Sequence, residues 1–335
     1  MKRLKTLVYG GGAVGLGIAS CLLKAGHGVT ILARPETVHA LNQAGLVRTG
    51  IFGPMAAPPG SFEAATSWDG LRRAAFDYAL VCTKAFDSEP AAHDLAAHRE
   101  RLGERGLVVL FQNGWGNADV FRRFFPPQAI YNARVITGFT RPQPNVVEVT
   151  VHAQPIHVGS LYTPATTPVE ALCTAISAGG IPCRAVSDIG RDLWAKLLFN
   201  CPLNGLGAVF GVPYGTLAAN EHSREVMDAV IAEVFEVMGA AGYATHWRSA
   251  EDYLPVFYGE LVPRTAEHYS STLQDLRAGK RTEMDALNGA IVALGQRHGI
   301  AAPVNAAIYG MVKFLESRAA GRQSASEGRG GDSAA

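Results

Sequence analysis

The sequence carries little net charge, few cysteines and no long apolar run, and each shortage closes off a class of function. Its 30 lysines and arginines nearly balance 29 acids, giving a formal net charge of +1. No general attraction to nucleic acid or to an anionic membrane follows. No apolar run reaches the roughly 20 residues that span a bilayer. The segment behind the basic start Met-Lys-Arg-Leu-Lys is interrupted by three glycines, which argues against a secretory signal. The five cysteines, Cys21, Cys82, Cys173, Cys183 and Cys201, are scattered, odd in number and without metal-ligand spacing. They read as buried free thiols in a reducing cytoplasm. No metal site is expected, nothing supports a catalytic cysteine, and no internal repeat is visible.

What remains is a chain of 335 residues, 48% hydrophobic and 18% charged, enough for two domains with sizeable cores. Its organising stretch is residues 7–34. Leu7 to Tyr9 read as a short buried strand, Ala13 to Lys24 as a helix ended by Gly26, and Val29 to Leu32 as a second strand. Between the first strand and the helix, Gly10, Gly12 and Gly15 have G-x-G-x-x-G spacing. The first glycine permits a tight turn, the second lets a pyrophosphate approach the backbone, and the third lets helix and strand pack closely. The helix start, with Ala13 and Val14, offers backbone N–H groups and a positive dipole end to phosphates.

The second strand lacks an acid at its end, where an NAD site usually places Asp or Glu for the ribose 2′-hydroxyl. Ala33-Arg34 stands there instead, with Glu36 two residues on. Arginine is a good bidentate phosphate ligand. NADP(H), with Arg34 on the 2′-phosphate, is the cofactor expected.

Further along, a helix over 37–44 and strands and turns over 45–60 are expected. Phe76 to Cys82 reads as a strand, Ala91 to Leu102 as a helix and Leu107 to Phe111 as a strand. Such alternation predicts a doubly wound parallel sheet of Rossmann type. Two polar tips, Thr83-Lys84 and Gln112-Asn113-Gly114, follow strands at their carboxyl ends, the edge where open α/β sheets bind ligands. Lys84 and Asn113 therefore face either cofactor and substrate or merely solvent and a turn. Strands over 130–137, 146–151 and 156–158 and a helix over 169–178 complete a first domain, residues 1–187.

From Asp188 the pattern becomes helical: 193–210, 221–240, 264–278, 283–298 and 304–319 are expected helices. Residues 188–319 thus form an all-α domain, and the Gly/Ser/Ala-rich residues 320–335 are expected to be disordered. Lys196, Asn200 and Asn204 share one helix face, which is either solvated or lines a cleft. Pro202 should kink or loosen that helix. Thr282 and Asp285 resemble a capping box, which would put Glu283 in the first turn of a helix, where it could simply complement the dipole.

Taken together, Gly10-x-Gly12-x-x-Gly15, Thr83-Lys84-Ala85, Asn113-Gly114, Trp194-x-Lys196-Leu197-x-x-Asn200-x-x-x-Asn204, Ser271-x-x-Gln274-Asp275, Thr282-Glu283-x-Asp285 and Ala302-Pro303-Val304-Asn305 resemble the ketopantoate reductase (2-dehydropantoate 2-reductase) family over about residues 4–318. The resemblance implies an N-terminal Rossmann domain, a C-terminal helical domain, an active site between them, and hydride transfer from NADPH to the 2-keto carbon of ketopantoate, giving pantoate for pantothenate and coenzyme A synthesis. It implies Lys196 as general acid and Glu283 on the substrate hydroxyl. Ser271 would take the substrate carboxylate, with Asn200 and Asn204 helping to hold the substrate. Asn113 would touch cofactor and substrate, and Lys84 would stand on the nicotinamide side. A lysine suits the chemistry, because hydride addition to a ketone builds negative charge on oxygen.

The chain departs from the family pattern at Gln112, where many members have His, at Pro202, at Gly205, where many have Pro, and at His268, where some have a substrate-binding Asn. A paralogous reductase of another 2-keto acid is therefore the alternative. A non-catalytic NADP sensor would have been expected to lose Lys196 or Glu283. The oligomeric state, a homodimer included, is not legible.

Overall fold

The computed structural model describes residues 2–72 and 75–327. The chain divides into two compact units, Met1–Ile189 and Gly190–Ala335. The first opens with β1 (Lys5–Tyr9), α1 (Ala13–Lys24), β2 (Gly28–Leu32) and α2 (Pro35–Ala44). There follow β3 (Leu46–Gly50), β4 (Met55–Ala57), β5 (Glu63–Ala65), β6 (Phe76–Val81), α3 (Ser88–Ala97), β7 (Leu102–Leu110) and α4 (Asn117–Arg122). The unit closes with β8 (Ile130–Arg134), β9 (Thr137–Gln143), β10 (Val146–His152), β11 (Ile156–Gly159), α5 (Thr167–Ala178) and β12 (Cys183–Ala185).

The main sheet runs β12-β11-β8-β7-β6-β1-β2-β5. β1 pairs in parallel with both β2 and β6, Val8 lying opposite Ile31 on one side and Leu80 on the other. All three are fully buried, as a sheet covered on both faces requires. The strand order reverses at β1, which puts a ligand crevice at the carboxyl ends of β1 and β6. β11 departs from the parallel pattern and runs antiparallel to β8.

Two features of this unit differ from expectation. The strand expected over 130–137 is two strands. β8 stays in the main sheet, and β9 leaves it for a separate four-stranded sheet, β4-β3-β10-β9. The helix expected to reach Leu102 ends at Ala97, because Leu102 already pairs with Phe76 at the start of a bulged β6–β7 ladder. Such pairings join residues far apart in sequence, so local periodicity does not reveal them.

The second unit is helical: α6 (Ile189–Phe210), α7 (Tyr214–Ala219), α8 (Glu221–Ala240), α9 (Ala250–Val256), α10 (Ser271–Arg277), α11 (Asn288–His298) and α12 (Pro303–Glu327). α6 runs through Pro202 as one helix. The helix expected over 264–278 is instead a turn at Pro263–Thr265 and then α10, whose start is fixed by Ser270 Oγ accepting from Leu273 N. The capping box is not made. Thr282 Oγ1 donates to Glu316 on α12, Met284–Ala286 is a single tight turn, and α11 begins only at Asn288. α12 runs on to Glu327, so residues 320–327, expected to be disordered, are helical. Ala, Arg, Gln and Glu among the glycine and serines there favour a helix. The rest of that stretch, 328–335, lies outside the described residues. Among the described residues no helix is long and apolar enough to cross a membrane, and all five cysteines are free.

A buried polar knot holds the helical unit. Glu233 on α8 accepts from Val304 N at 2.8 Å, Asn305 N at 2.9 Å and Asn305 Nδ2 at 2.8 Å. A carboxylate thus caps the positive start of α12. Asn288 Nδ2 on α11 donates to Asn305 Oδ1 and to the Cys201 carbonyl on α6. The Ala302-Pro303-Val304-Asn305 motif therefore has a structural task in the fold.

Candidate active site

The glycine turn shows what each position is for. Gly10 has φ +111°, and a Cβ there would stand 2.8 Å from the backbone of both Cys82 and Thr83. A Cβ on Gly15 would overlap the Gly10 carbonyl oxygen. At Gly12 the nearest atom would be the Cys82 carbonyl at 3.9 Å, so that side of the turn is open. Behind it α1 starts without a side-chain cap and without an acid in its first turn. The N–H groups around Ala13, Val14 and Gly15 are thus presented to an incoming anion. The residues present fit a dinucleotide pyrophosphate.

Sheet order sets out the other first-unit residues. β7, β6, β1 and β2 are consecutive neighbours. Asn113 after β7, Lys84 after β6, the glycine turn after β1 and Arg34 after β2 therefore occupy one carboxyl edge in that order. Arg34 is the exposed N-cap residue of α2, and Pro35 follows at the first helical position. Lys84 and Asn113 are half-buried.

Buried Gln112 laces the two middle tips together. Its Nε2 donates to the Lys84 carbonyl at 3.1 Å and to Ser88 Oγ at 2.9 Å, with Thr83 Oγ1 at 3.3 Å. Ser88 Oγ donates to Asn117 Oδ1, and Asn117 Nδ2 donates to the Asn113 carbonyl. This bracing was missed from sequence. Only the position of Gln112 at a strand end could have suggested it. Cys82 also sits against the turn, and burial pushes its thiol well above the usual range, which disfavours the thiolate. The same holds for Cys201 on α6.

In the second unit, α6 is buried on nearly every side from Leu193 to Ala208. Ala195, Lys196, Phe199 and Asn200 form its accessible strip. Lys196 is the one charged side chain past the first turn of this helix. Lys196 and Asn200 thus lie one turn apart on that strip, and buried Asn204 follows on the same face. Asn204 Oδ1 accepts from Tyr214 Oη at 2.6 Å, which fixes its amide and leaves its N–H groups to donate. Tyr214 was not anticipated. Its ring meets Phe199 and His268, and burial pushes its phenol well up, so it stays a neutral donor.

The segments that carry Ser271 and Glu283 touch through the next residue of each. Thr272 Oγ1 contacts Met284 Sδ at 3.9 Å. Met284 Cε in turn would lie 3.3 Å from a Cβ on Gly205, the residue after Asn204. Exposed Ser271 opens α10, while Glu283, 8% exposed, precedes the tight turn. Gly205 also admits Ile308 of α12, whose side chain a Cβ would overlap. Met284 thus links the start of α10 to α6 beside Gly205, and Lys196, Asn200 and Asn204 follow one face of α6.

An open glycine turn beneath an uncapped helix start, at the carboxyl edge of a parallel sheet, marks a dinucleotide-binding protein of Rossmann type. Comparison narrows the class. Residues 6–162 match the family model described as ketopantoate reductase PanE/ApbA, and residues 188–316 match that of its C-terminal part. The 2-dehydropantoate 2-reductase of Aquifex aeolicus is 34% identical over 314 residues, 93% of this chain and 97% of that protein. A PanE/ApbA family ketopantoate reductase structure from Ralstonia eutropha aligns with a TM-score of 0.82 at 29% identity, covering 94% of this chain and 99% of that one. D-mandelate dehydrogenase, solved with NADH and anilino(oxo)acetate, shares the fold with a TM-score of 0.83 at 20% identity, covering 94% and 99%. The chain belongs to the ketopantoate reductase family and is an oxidoreductase.

Proposed function

We propose that the protein reduces 2-dehydropantoate to pantoate with NADPH, a step toward pantothenate and coenzyme A. The observation that carries the reading is the place of Lys196, the one charged side chain past the first turn of α6, on that helix's accessible strip one turn from Asn200. When bound, the reduced dinucleotide supplies a hydride to the 2-keto carbon. Lys196 Nζ stabilises the charge that grows on the keto oxygen and gives it a proton. Asn200 and the Asn204 amide orient the substrate, Ser271 receives its carboxylate at the start of α10, and Glu283 accepts from its hydroxyl. On the first unit, Gly10 to Gly15 hold the pyrophosphate, Arg34 takes the 2′-phosphate, and Lys84 and Asn113 serve the nicotinamide end.

The test is oxidation of NADPH, followed at the reduced-nicotinamide absorbance, with ketopantoate and a panel of other 2-keto acids, and with NADH alongside. Fast turnover of ketopantoate alone supports the reading. Turnover of a different 2-keto acid moves the substrate to the second reading, a paralogous reductase. That reading draws on the aromatic cluster of Phe199, Tyr214 and His268 beside Asn204, which would favour a bulkier apolar substituent. Binding of NADPH without any turnover contradicts both.

A further inference from the structure

The second sheet of the first unit has no part in the reading so far, yet it reaches the cofactor turn. β9 crosses α1, and the Phe139 ring fills the space a Cβ on Gly17 would need. Two residues on, and so on the same strand face, Arg141 Nη1 donates to the Gly11 carbonyl at 3.0 Å and to Thr37 Oγ1 at 3.0 Å. Gly11 is the middle of the glycine turn, and Thr37 stands three residues after Arg34 in the first turn of α2. A Cβ on Gly11 would lie 2.6 Å from Ala33 Cβ and 2.9 Å from Thr37 Cγ2. Gly11, Ala33 and Thr37 thus form one contact cluster where β2 ends, and the Arg141 guanidinium sits on it.

Arginine has five N–H donors in a rigid fork. Here one nitrogen is engaged, the residue is exposed, and among the described residues the rest of the fork has no hydrogen bond or ion pair. The nearby acids do not claim it. Glu148 binds Thr140 Oγ1, on the opposite face of β9, and Glu36 is exposed on α2. A planar cation held by one nitrogen and open at the others suits a phosphate monoester.

We propose that Arg141 is a second determinant of cofactor choice: it binds the 2′-phosphate of the adenosine ribose together with Arg34, and its anchored nitrogen tethers the glycine turn to α2. The assignment rests on the NADP(H) reading above. It also explains why a sheet remote in sequence is wedged against α1.

The probes are 2′,5′-ADP and 5′-AMP, titrated calorimetrically into the full chain, so that no turnover is needed. Wild type should bind 2′,5′-ADP more tightly than 5′-AMP. Arg141→Ala should weaken 2′,5′-ADP by about tenfold and change 5′-AMP less than about twofold, as for loss of one charged hydrogen-bonding group. Arg141→Lys, which keeps the charge but not the fork, should fall between and guards against a folding defect in the alanine variant. Arg34→Ala with Arg141→Ala should abolish the preference. Equal losses for both probes would make Arg141 a tether only and overturn the proposal, as would no loss for either. A wild type without preference would fail earlier, removing the NADP(H) reading along with the proposal.

Discussion

The two units carry their candidate functional residues on different material. The first works with backbone: its cofactor turn is defined by where side chains are missing, and Gly10 and Gly15 each lack room for even one carbon. The second works with side chains carried on helices whose positions are set elsewhere. Lys196 and Asn200 keep their place because Asn288, Asn305 and Glu233 lock α6, α8, α11 and α12 together. Changes at the glycine turn should therefore act through shape, and changes on α6 through chemistry or through the knot behind it.

The largest effect is expected at the turn itself. Gly15→Ala should cost about 1–3 kcal/mol of stability from overpacking and abolish measurable dinucleotide binding, seen in a thermal melt with and without NADPH. Wild-type binding would break the contrast. Lys196→Ala should lower kcat by about a hundredfold or more while leaving NADPH affinity nearly unchanged.

Glu233→Gln should destabilise by about 2 kcal/mol in denaturant melts, because three buried N–H groups lose a charged acceptor. Its NADPH affinity should stay as in wild type. Arg34→Ala should weaken NADPH by about tenfold and NADH little, and equal losses would remove Arg34 from the phosphate.

The smallest effect is expected at Asp285. Burial alone would raise its pKa, but hydrogen bonds from Tyr309 and Arg281 and the nearby Lys313 outweigh it and hold the carboxyl below its usual value. A depressed pKa contributes stability above the ordinary aspartate value of about 3.9, lost as pH falls through the folded-state value. Asp285→Asn should therefore cost less than about 1 kcal/mol at neutral pH, and the gap to wild type should close in acid.

Legibility in the sequence follows the same division. The glycine turn, α1 over Ala13–Lys24 and α8 over Glu221–Ala240 stand where the spacing puts them, because a local pattern encodes each. The pairing of the second sheet was invisible, since β3 pairs with β10 a hundred residues away. Short α7 and α9 lacked enough periodicity to register. Thr282 misled because its partner is not Asp285 but Glu316, 34 residues on. Of the site, Lys196, Asn200 and Asn204 were legible as one helix face. Gln112, Tyr214 and Arg141 were not, since their roles lie in contacts that no local spacing encodes.

The proposed role of Lys196 is to protonate the alkoxide formed by hydride addition to ketopantoate. The most direct test is single-turnover reduction of ketopantoate by NADPH-saturated wild type and Lys196→Ala, with NADPH affinity measured on both. A hundredfold or greater loss of rate at unchanged affinity is predicted. Equal rates would contradict the assignment of the lysine, and a wild type inert toward ketopantoate but active on another 2-keto acid would contradict the substrate.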